Sequence, residues 1–204
     1  RTLLGGIGDG YTFAGIPYSV GFLERDQGQW EQPIEIFSPS GCAVLYRRTI
    51  LDEIGIFDED FFAYYEDVDL GFRLQMARAR CLYVPSAVVY HIGSGTTGGR
   101  LNPFTLRQMA QNMISLAVKN LPSLVLLRVV PVWFGVQLVL LSRVCLLDRE
   151  IRSIYLTAYR QGFCSGLRLL PRTIAKRRTI LKRSRLSSHE LNYKIKVTER
   201  MILD

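Results

Sequence analysis

Between Glu66 and Ala79 the apolar positions can be counted in two ways. Val68, Leu70, Phe72, Leu74 and Met76 alternate with other residues, as a half-buried strand would. The same window opens on acids that suit a helix N-terminus and is filled with good helix formers, Leu, Arg, Gln, Met and Ala. The pattern therefore predicts a helix from Glu66. At about 100° per residue, Val68, Phe72, Met76 and Ala79 form one apolar face and Leu70, Leu74 and Ala77 another. A helix with two apolar faces is packed on both, as in a layered α/β domain.

The remaining pattern in the first half is shorter. "SGCAVLYRR" (residues 40–48) reads as a buried strand, and "TILDEIG" as a short helix capped by Thr49 and stopped by Gly55. "CLYVP" and "AVVYH" read as two strands broken by Pro85, followed by the Gly-rich loop "IGSGTTGGRLNP". Residues 1–40 are rich in Gly and Pro punctuation, with no GxGxxG or GK[ST] phosphate loop among the glycines.

The second half changes character. Residues 105–120 fit a helix. Residues 121–147 form an apolar run whose formal charges are Arg128 and Arg143, with 14 residues between them. A bilayer core of about 30 Å needs about 20 residues, so an interfacial or re-entrant segment, suited by Pro131 and Gly135, is the favoured reading. A full span with snorkelling arginines and a soluble core helix stay open. Residues 167–185 hold eight Lys/Arg and no acid, with Leu167, Leu170, Ile174 and Leu181 at mainly helical spacing. That is the pattern of a basic amphipathic helix on anionic lipid; few aromatics and an apolar neighbour argue against nucleic acid. A solvated charged face is the plainer alternative.

Charge divides the chain at the same place. Of 204 residues with formal charge +8, residues 1–100 carry 8 Lys/Arg against 13 Asp/Glu, and residues 101–204 carry 18 against 5. The division predicts two regions, 1–104 and 105–204, with different partners. Cys42, Cys81, Cys145 and Cys164 form no CxxC pair and sit in apolar stretches, which predicts buried free thiols in a reducing cytosol. No charged segment followed by an apolar core opens the chain at Arg1, so no signal peptide is expected there, and the chain is expected to start within a domain.

One feature runs against the overall charge. "GIFDEDFFAYYEDVDLGFRLQ" (residues 55–75) packs Asp58, Glu59, Asp60, Glu66, Asp67 and Asp69 among aromatic residues. Acids at a helix start cap free N–H groups and complement the dipole, which explains them without chemistry. Alternatively, Glu66 and Asp67 stand at the mouth of a cleft walled by Phe61, Phe62, Tyr64 and Tyr65. A partly desolvated carboxylate beside a second acid gains proton affinity and can act as a general base toward an alcohol. Aromatic faces with carboxylates also suit sugars.

The elements G-x-F-D-E-x-F-F, Y-x-E-D-x-D-L and P-x-A-x-x-x-H occur here in order, over about residues 40–97. This resembles the second half of the catalytic domain of family-2 inverting glycosyltransferases, especially the bacterial rhamnosyltransferase-like branch that builds cell-surface polysaccharides. The resemblance implies a partial GT-A, Rossmann-like α/β domain followed by a mainly helical C-terminal region. It places the family's ED pair on Glu66 and Asp67, with Asp67 the base that deprotonates the acceptor hydroxyl. It implies that His91 helps hold Mn²⁺ or Mg²⁺ on the donor diphosphate, and that Gly41, Tyr64 and Tyr65 bind substrate.

The implied partners are a nucleotide-sugar donor, a glycan or polyprenyl-linked acceptor and an anionic membrane, with no nucleic acid. The implied location is the cytoplasmic face of the plasma membrane, peripheral or partly inserted. One departure qualifies the likeness. The family's donor-binding half and its DxD motif belong well upstream of the ED pair, yet 65 residues precede Glu66. The triplets at residues 58–60 and 67–69 match DxD in letters but fall within the acceptor-side motif. The expectation is a C-terminal portion of a longer enzyme, inactive alone. A metal-dependent phosphoesterase and a non-catalytic membrane scaffold are the rival readings.

Overall fold

A computed structural model describes residues 3–92 and 102–200. The fold combines two small antiparallel sheets with a larger set of helices. β1 (Asp9–Tyr11) pairs with β2 (Pro17–Ser19) in the register Asp9 to Ser19, and β3 (Ile34–Ile36) pairs with β4 (Cys81–Tyr83) in the register Ile36 to Cys81. A single antiparallel bridge between Asp9 and Ser38 joins the first hairpin to the end of β3. α1 (Arg48–Ile54) and α2 (Glu66–Met76) lie between β3 and β4 in the chain.

α2 is the helix that its acids and helix formers predict, and both of its apolar faces are used. Val68, Phe72 and Met76 enter the main core, while Leu70 and Leu74 pack with Ile36 and Cys81 in a second cluster. Phe72 is fully buried, with the rings of Tyr11 and Phe37 meeting it edge-on at 5.1 and 4.8 Å. Ala79 departs from its assigned face and joins the second cluster, because the helix ends at Met76 and Arg78 turns the chain at φ 59°.

Several short elements differ from the pattern's expectation. Residues 41–47 are irregular rather than a strand, with Leu45 98% exposed and no strand alongside among the described residues. Residues 87–91 are likewise irregular and exposed, so only the first of the two expected strands, β4, forms. Gly55 stops α1 at φ 82° as expected, but Thr49 lies inside that helix and Arg47 precedes it without a side-chain cap. All four cysteines are free, yet Cys81 alone is buried; the others lie on the irregular segment, at the end of α4 and on the outer face of α5. Most of the expected Gly-rich loop, residues 93–101, lies outside the described residues.

Four helices follow. α3 (Pro103–Asn120) starts as its sequence dictates: the Asn102 side chain accepts from Thr105 N–H at 2.9 Å, and Pro103 occupies the first turn, where its missing N–H costs nothing. α4 (Ser123–Cys145) is one continuous helix with Pro131 inside it. At about 1.5 Å per residue it is about 35 Å long. Its length and mean hydropathy of 2.2 suffice to cross a membrane, and 22% of its apolar window is buried. Val125 and Val129 enter the core, and Trp133 stacks on Phe163.

α5 (Arg149–Arg183) runs beside α3 for much of its length. Gly162 and Gly166 allow the close approach: a Cβ at Gly162 would lie 2.2 Å from the Arg107 carbonyl oxygen. α6 (Ser188–Arg200) opens with a capping box, in which Ser187 Oγ accepts from Glu190 N–H and Glu190 Oε2 accepts from Ser187 N–H. It inserts Leu191 and Ile195 into the main core beside Tyr11 and Phe72, so that core draws on residues from both sides of position 104.

The basic tail is less free than its sequence suggests. Lys176 pairs with Asp58 and Asp60, Arg177 bonds the Val118 and Leu121 carbonyls at the end of α3, and Arg185 pairs with Glu53. Leu181 packs against the core rather than facing outward. Arg168, Arg172, Arg178, Lys182 and Arg183 remain exposed.

Candidate functional site

The loop before α2 is held in a conformation that its sequence alone would not choose. Phe62, Tyr64 and Tyr65 have φ of 58°, 69° and 69°, in the left-handed region that costs non-glycine residues about 1–2 kcal/mol each. The restraint comes from α3. Asn112, completely buried, places its side-chain nitrogen 2.9, 2.8 and 2.7 Å from the carbonyl oxygens of Phe61, Ala63 and Tyr64. Gln108 donates to the Phe61 carbonyl and Gln111 to that of Asp60, while the Tyr64 and Thr105 hydroxyls lie 2.9 Å apart. A polar face of α3 thus clamps the chain that delivers Glu66 and Asp67.

The six acids divide by what they touch. Asp69 is completely buried and takes hydrogen bonds from Arg73, Lys119 and Asn120. Asp58 bridges Lys119 and Lys176, each at 2.5 Å, and Asp60 also meets Lys176. Burial opposes ionisation of Asp58, but the two lysines outweigh it and hold its carboxyl at about 2. These three acids fasten the loop and α2 to α3 and α5. Two of their partners, Lys119 and Lys176, belong to the basic second half.

Glu66 and Asp67 are differently placed. Asp67 Oδ2 accepts from the Gly41 backbone N–H at 2.9 Å, Oδ1 accepts from the Val68 N–H at 2.8 Å, and its carbonyl accepts from the Ser38 hydroxyl at 2.8 Å. Ser38 is fully buried, and α2 approaches it closely only because position 71 is glycine: a Cβ there would lie 2.3 Å from Ser38 Cβ. Burial raises Glu66 above the ordinary carboxylate range, and its Oε2 is buried without a hydrogen-bond partner among the described residues. The Tyr46 hydroxyl is a second buried oxygen lacking a partner, and burial and then the charge of Asp67 push it up. Two orphaned polar atoms beside a carboxylate leave hydrogen-bonding capacity for a polar ligand.

A third acid completes the group. Asp9 exchanges backbone hydrogen bonds with Ser38, at 2.7 and 3.0 Å, and its side chain meets that of Asp67. Burial first, and then the Asp67 charge, raise it to about 7. The glycines on either side are required by contact. A Cβ at Gly8 would lie 2.7 Å from Ile36 Cδ1, and one at Gly10 would lie 2.4 Å from the Tyr18 ring. The sequence signal was this acid between two glycines, but its partner is 58 positions away and no local pattern links them.

The expected site residues are therefore distributed as follows. Gly41, Glu66 and Asp67 come together, with Gly41 acting through its N–H on Asp67. Tyr64 contributes its hydroxyl to the α3 clamp, and the Tyr65 ring packs against the core. Of the two phenylalanines expected to wall a cleft, Phe61 is buried in the core and Phe62 is exposed. His91 is exposed at the edge of the described residues. Among those residues no group of three or more His, Cys, Asp or Glu is placed to hold a metal ion, so the implied Mn²⁺ or Mg²⁺ has no fitting ligand set there.

A carboxylate fixed by backbone N–H groups at the start of a helix, in an α/β setting with open polar capacity beside it, suits activation of a hydroxyl. The chain belongs to the group described as glycosyl transferase family group 2, whose family model matches residues 20–162. It is 39% identical over 82 residues to N-acetylglucosaminyl-diphospho-decaprenol L-rhamnosyltransferase from each of two strains of Mycobacterium tuberculosis. That match covers 40% of this chain and 26% of each relative, so the chain spans about a quarter of the length of the curated relatives it matches. No solved structure matches it.

Proposed function

We propose that this chain is the acceptor-activating part of a longer inverting glycosyltransferase of GT-A type. The enzyme transfers a hexosyl or deoxyhexosyl unit from a nucleotide sugar to a hydroxyl of a glycan or polyprenyl-linked acceptor in cell-surface polysaccharide synthesis. The observation that carries the reading is the Asp67 carboxylate, held by the Gly41 and Val68 N–H groups beside Asp9 and two unpartnered oxygens. The family and the relatives' rhamnosyl transfer to a diphospho-decaprenol acceptor supply the chemistry.

In this reading Asp67 takes the proton from the acceptor hydroxyl as its oxygen attacks the anomeric carbon, and the donor's diphosphate leaves from the opposite face. Gly41 and the first turn of α2 fix the base, while Glu66 and Tyr46 offer hydrogen bonds to the sugar or acceptor. Asp9, beside Asp67, holds its own proton up to about pH 7, and the charge it gains above that pH favours proton transfer to the neighbouring base. A divalent metal, when bound, would stabilise charge on the leaving diphosphate; no step here depends on ligands from the described residues.

The phosphoesterase alternative needs several acids converging on metal, whereas Asp58, Asp60 and Asp69 are bonded to lysine and arginine. Attachment to the cytoplasmic face of the membrane through α4 and the exposed basic residues of α5 belongs to the same proposal. The test is nucleoside-diphosphate release by the complete protein from a panel of nucleotide sugars, with Mn²⁺ and lipid acceptor, against an Asp67→Asn control. Acceptor-dependent release that disappears in the variant supports the transferase. Release equal in both removes Asp67 from the reaction.

A further inference from the structure

The catalytic reading leaves unused a groove with a cation on its wall. Between the first turns of α3 and the N-terminal half of α5 lies an open groove of about 450 Å³, lined by Pro103, Phe104, Arg107, Ile154, Thr157 and Ala158 among others. Its volume falls within the ~300–1,000 Å³ of small-molecule sites, and its lining is mainly apolar. Arg107 is exposed, and its guanidinium has no hydrogen-bond or ion-pair partner among the described residues. On the N-terminal half of α5, Arg152 donates to the Cys145 carbonyl at 3.0 Å, while Arg149 and Arg160 are exposed.

One wall of the groove touches the loop that leads to the candidate site, and its other end lies near apolar surface. Phe104, part of its wall, meets Phe62 of the acid loop edge-on at 6.3 Å, and the next residue, Thr105, bonds Tyr64. Toward the start of α5, Leu146, Leu147 and Ile151 are exposed together with the charged Asp148, Arg149 and Glu150, and the exposed apolar face of α4 precedes them in the chain.

We propose that this groove seats the isoprenoid diphosphate of the lipid-linked acceptor, with the first isoprene units on Phe104, Ile154 and Ala158 and the diphosphate on Arg107. The inference rests on the glycosyl-transfer reading and names where its acceptor lies. Charge and polarity together select this occupant. A free nucleotide or a glycan would leave the apolar part of the lining uncovered, even with Ser153, Thr157 and Gln161 offering polar contacts, and a neutral lipid would leave Arg107 unpaired. Seated so, the acceptor's sugar projects past Phe62 toward Tyr64 and the start of α2.

The test needs no turnover. The 204-residue chain in detergent is photolabelled with a benzophenone-bearing geranylgeranyl diphosphate, and the labelled residues are mapped by mass spectrometry. Competitors are geranylgeranyl diphosphate, geranylgeraniol, inorganic pyrophosphate and phosphatidylglycerol vesicles. Saturable labelling at Phe104 or residues 154–158, displaced best by geranylgeranyl diphosphate, is expected. Arg107→Gln should weaken that competitor about tenfold while barely changing geranylgeraniol, as loss of one charged hydrogen bond predicts. Ile154→Glu, at an exposed position, should weaken every prenyl probe.

Equal binding of the diphosphate by wild type and Arg107→Gln, labelling confined to the outer face of α4, or equal displacement by phosphatidylglycerol would each overturn the proposal. The two readings fail differently. If the complete protein transfers sugar to its lipid acceptor equally well with and without Arg107, the groove is wrong and the transferase stands. If labelling behaves as expected while no donor is ever consumed, the groove stands as a prenyl diphosphate site and the transferase reading falls.

Discussion

The Gly41 N–H meets Asp67 Oδ2 at 2.9 Å and, with the Val68 N–H on the other oxygen, fixes the carboxylate at the first turn of α2. Glycine is not needed there for a special φ, and a Cβ would lie 3.4 Å from the same oxygen, so the N–H itself is what matters. Asp67→Asn keeps shape but loses the base, and should lower turnover of the complete enzyme by about 10²–10⁴-fold. Gly41→Pro removes the donor and should lower it by a smaller factor, with Gly41→Ala near wild type. Steady-state kinetics of the three, with circular dichroism as the folding control, separate positioning from chemistry.

Asn112 should matter more than an ordinary core amide. Asn112→Ala removes the donor shared by the Ala63 and Tyr64 carbonyls, while Phe61 keeps Gln108 and the Ala63 N–H and two tyrosines stay at positive φ. Orphaned buried acceptors cost about 1–3 kcal/mol each, so a loss of about 2–4 kcal/mol is expected in urea titration. Turnover should fall as well, because the released loop carries Glu66 and Asp67. Unchanged stability would show that the strained turn holds itself.

The reach of the sequence depended on distance along the chain. The two faces of α2 were legible because helical periodicity is local, and they failed only at Ala79, where Arg78 breaks the helix at φ 59°. Asp67 was singled out through its motif. Asp9 was not, because a three-residue strand gives little periodicity and its link to Ser38 and Asp67 is tertiary. The roles of Asp58, Asp60 and Asp69 were hidden for the same reason: their lysine partners lie 50 to 118 positions downstream. The strand expected at residues 40–48 failed because apolar content alone does not make a strand without a neighbour to pair with.

Lys119 ties two of those acids together. It is almost fully buried and bonds both Asp58 and Asp69, so Lys119→Met leaves two carboxylates short of a partner and should cost about 3–5 kcal/mol. Adding Asp69→Asn should recover part of that loss. The Asp58 carboxyl lies at about 2 when folded against an ordinary 3.8, so the folded form binds fewer protons in between. Its contribution is present above pH 4 and lost as pH falls toward 2, on the order of 2 kcal/mol before screening by solvent. Acid titration of stability in wild type and Lys119→Met should show that step in the first and a diminished one in the second.

Asp9 predicts the opposite slope. Its folded value of about 7 lies above 3.8, so between them the folded state holds a proton that the unfolded state has lost, and stability falls as pH rises through that window. Asp9→Asn removes the penalty and should be more stable than wild type at pH 8, by a few kcal/mol at most, with little difference at pH 4. In the complete enzyme, turnover should rise with pH through about 7 as Asp9 loses its proton beside Asp67. That limb should disappear in Asp9→Asn. A limb near 7 that survives the substitution would assign it to another group.

The last prediction concerns α4. Leu124, Leu127, Phe134 and Leu138 are all at least half exposed, and together they mark the side of the helix turned away from the core. Water contact along a helix of this hydropathy is expensive, at about 25 cal/mol per Å² of apolar surface, whereas lipid would remove that cost. Val125 and Val129 anchor the first half to the core, so burial in lipid would fall on the outward face and the second half. Membrane attachment should therefore resist high salt, which screens the exposed arginines of α5, and yield to detergent. Leu127→Arg with Leu138→Arg should move the protein to the soluble fraction without disturbing Val125 or Val129. Release of the wild type by salt alone would instead place the attachment on the basic residues of α5.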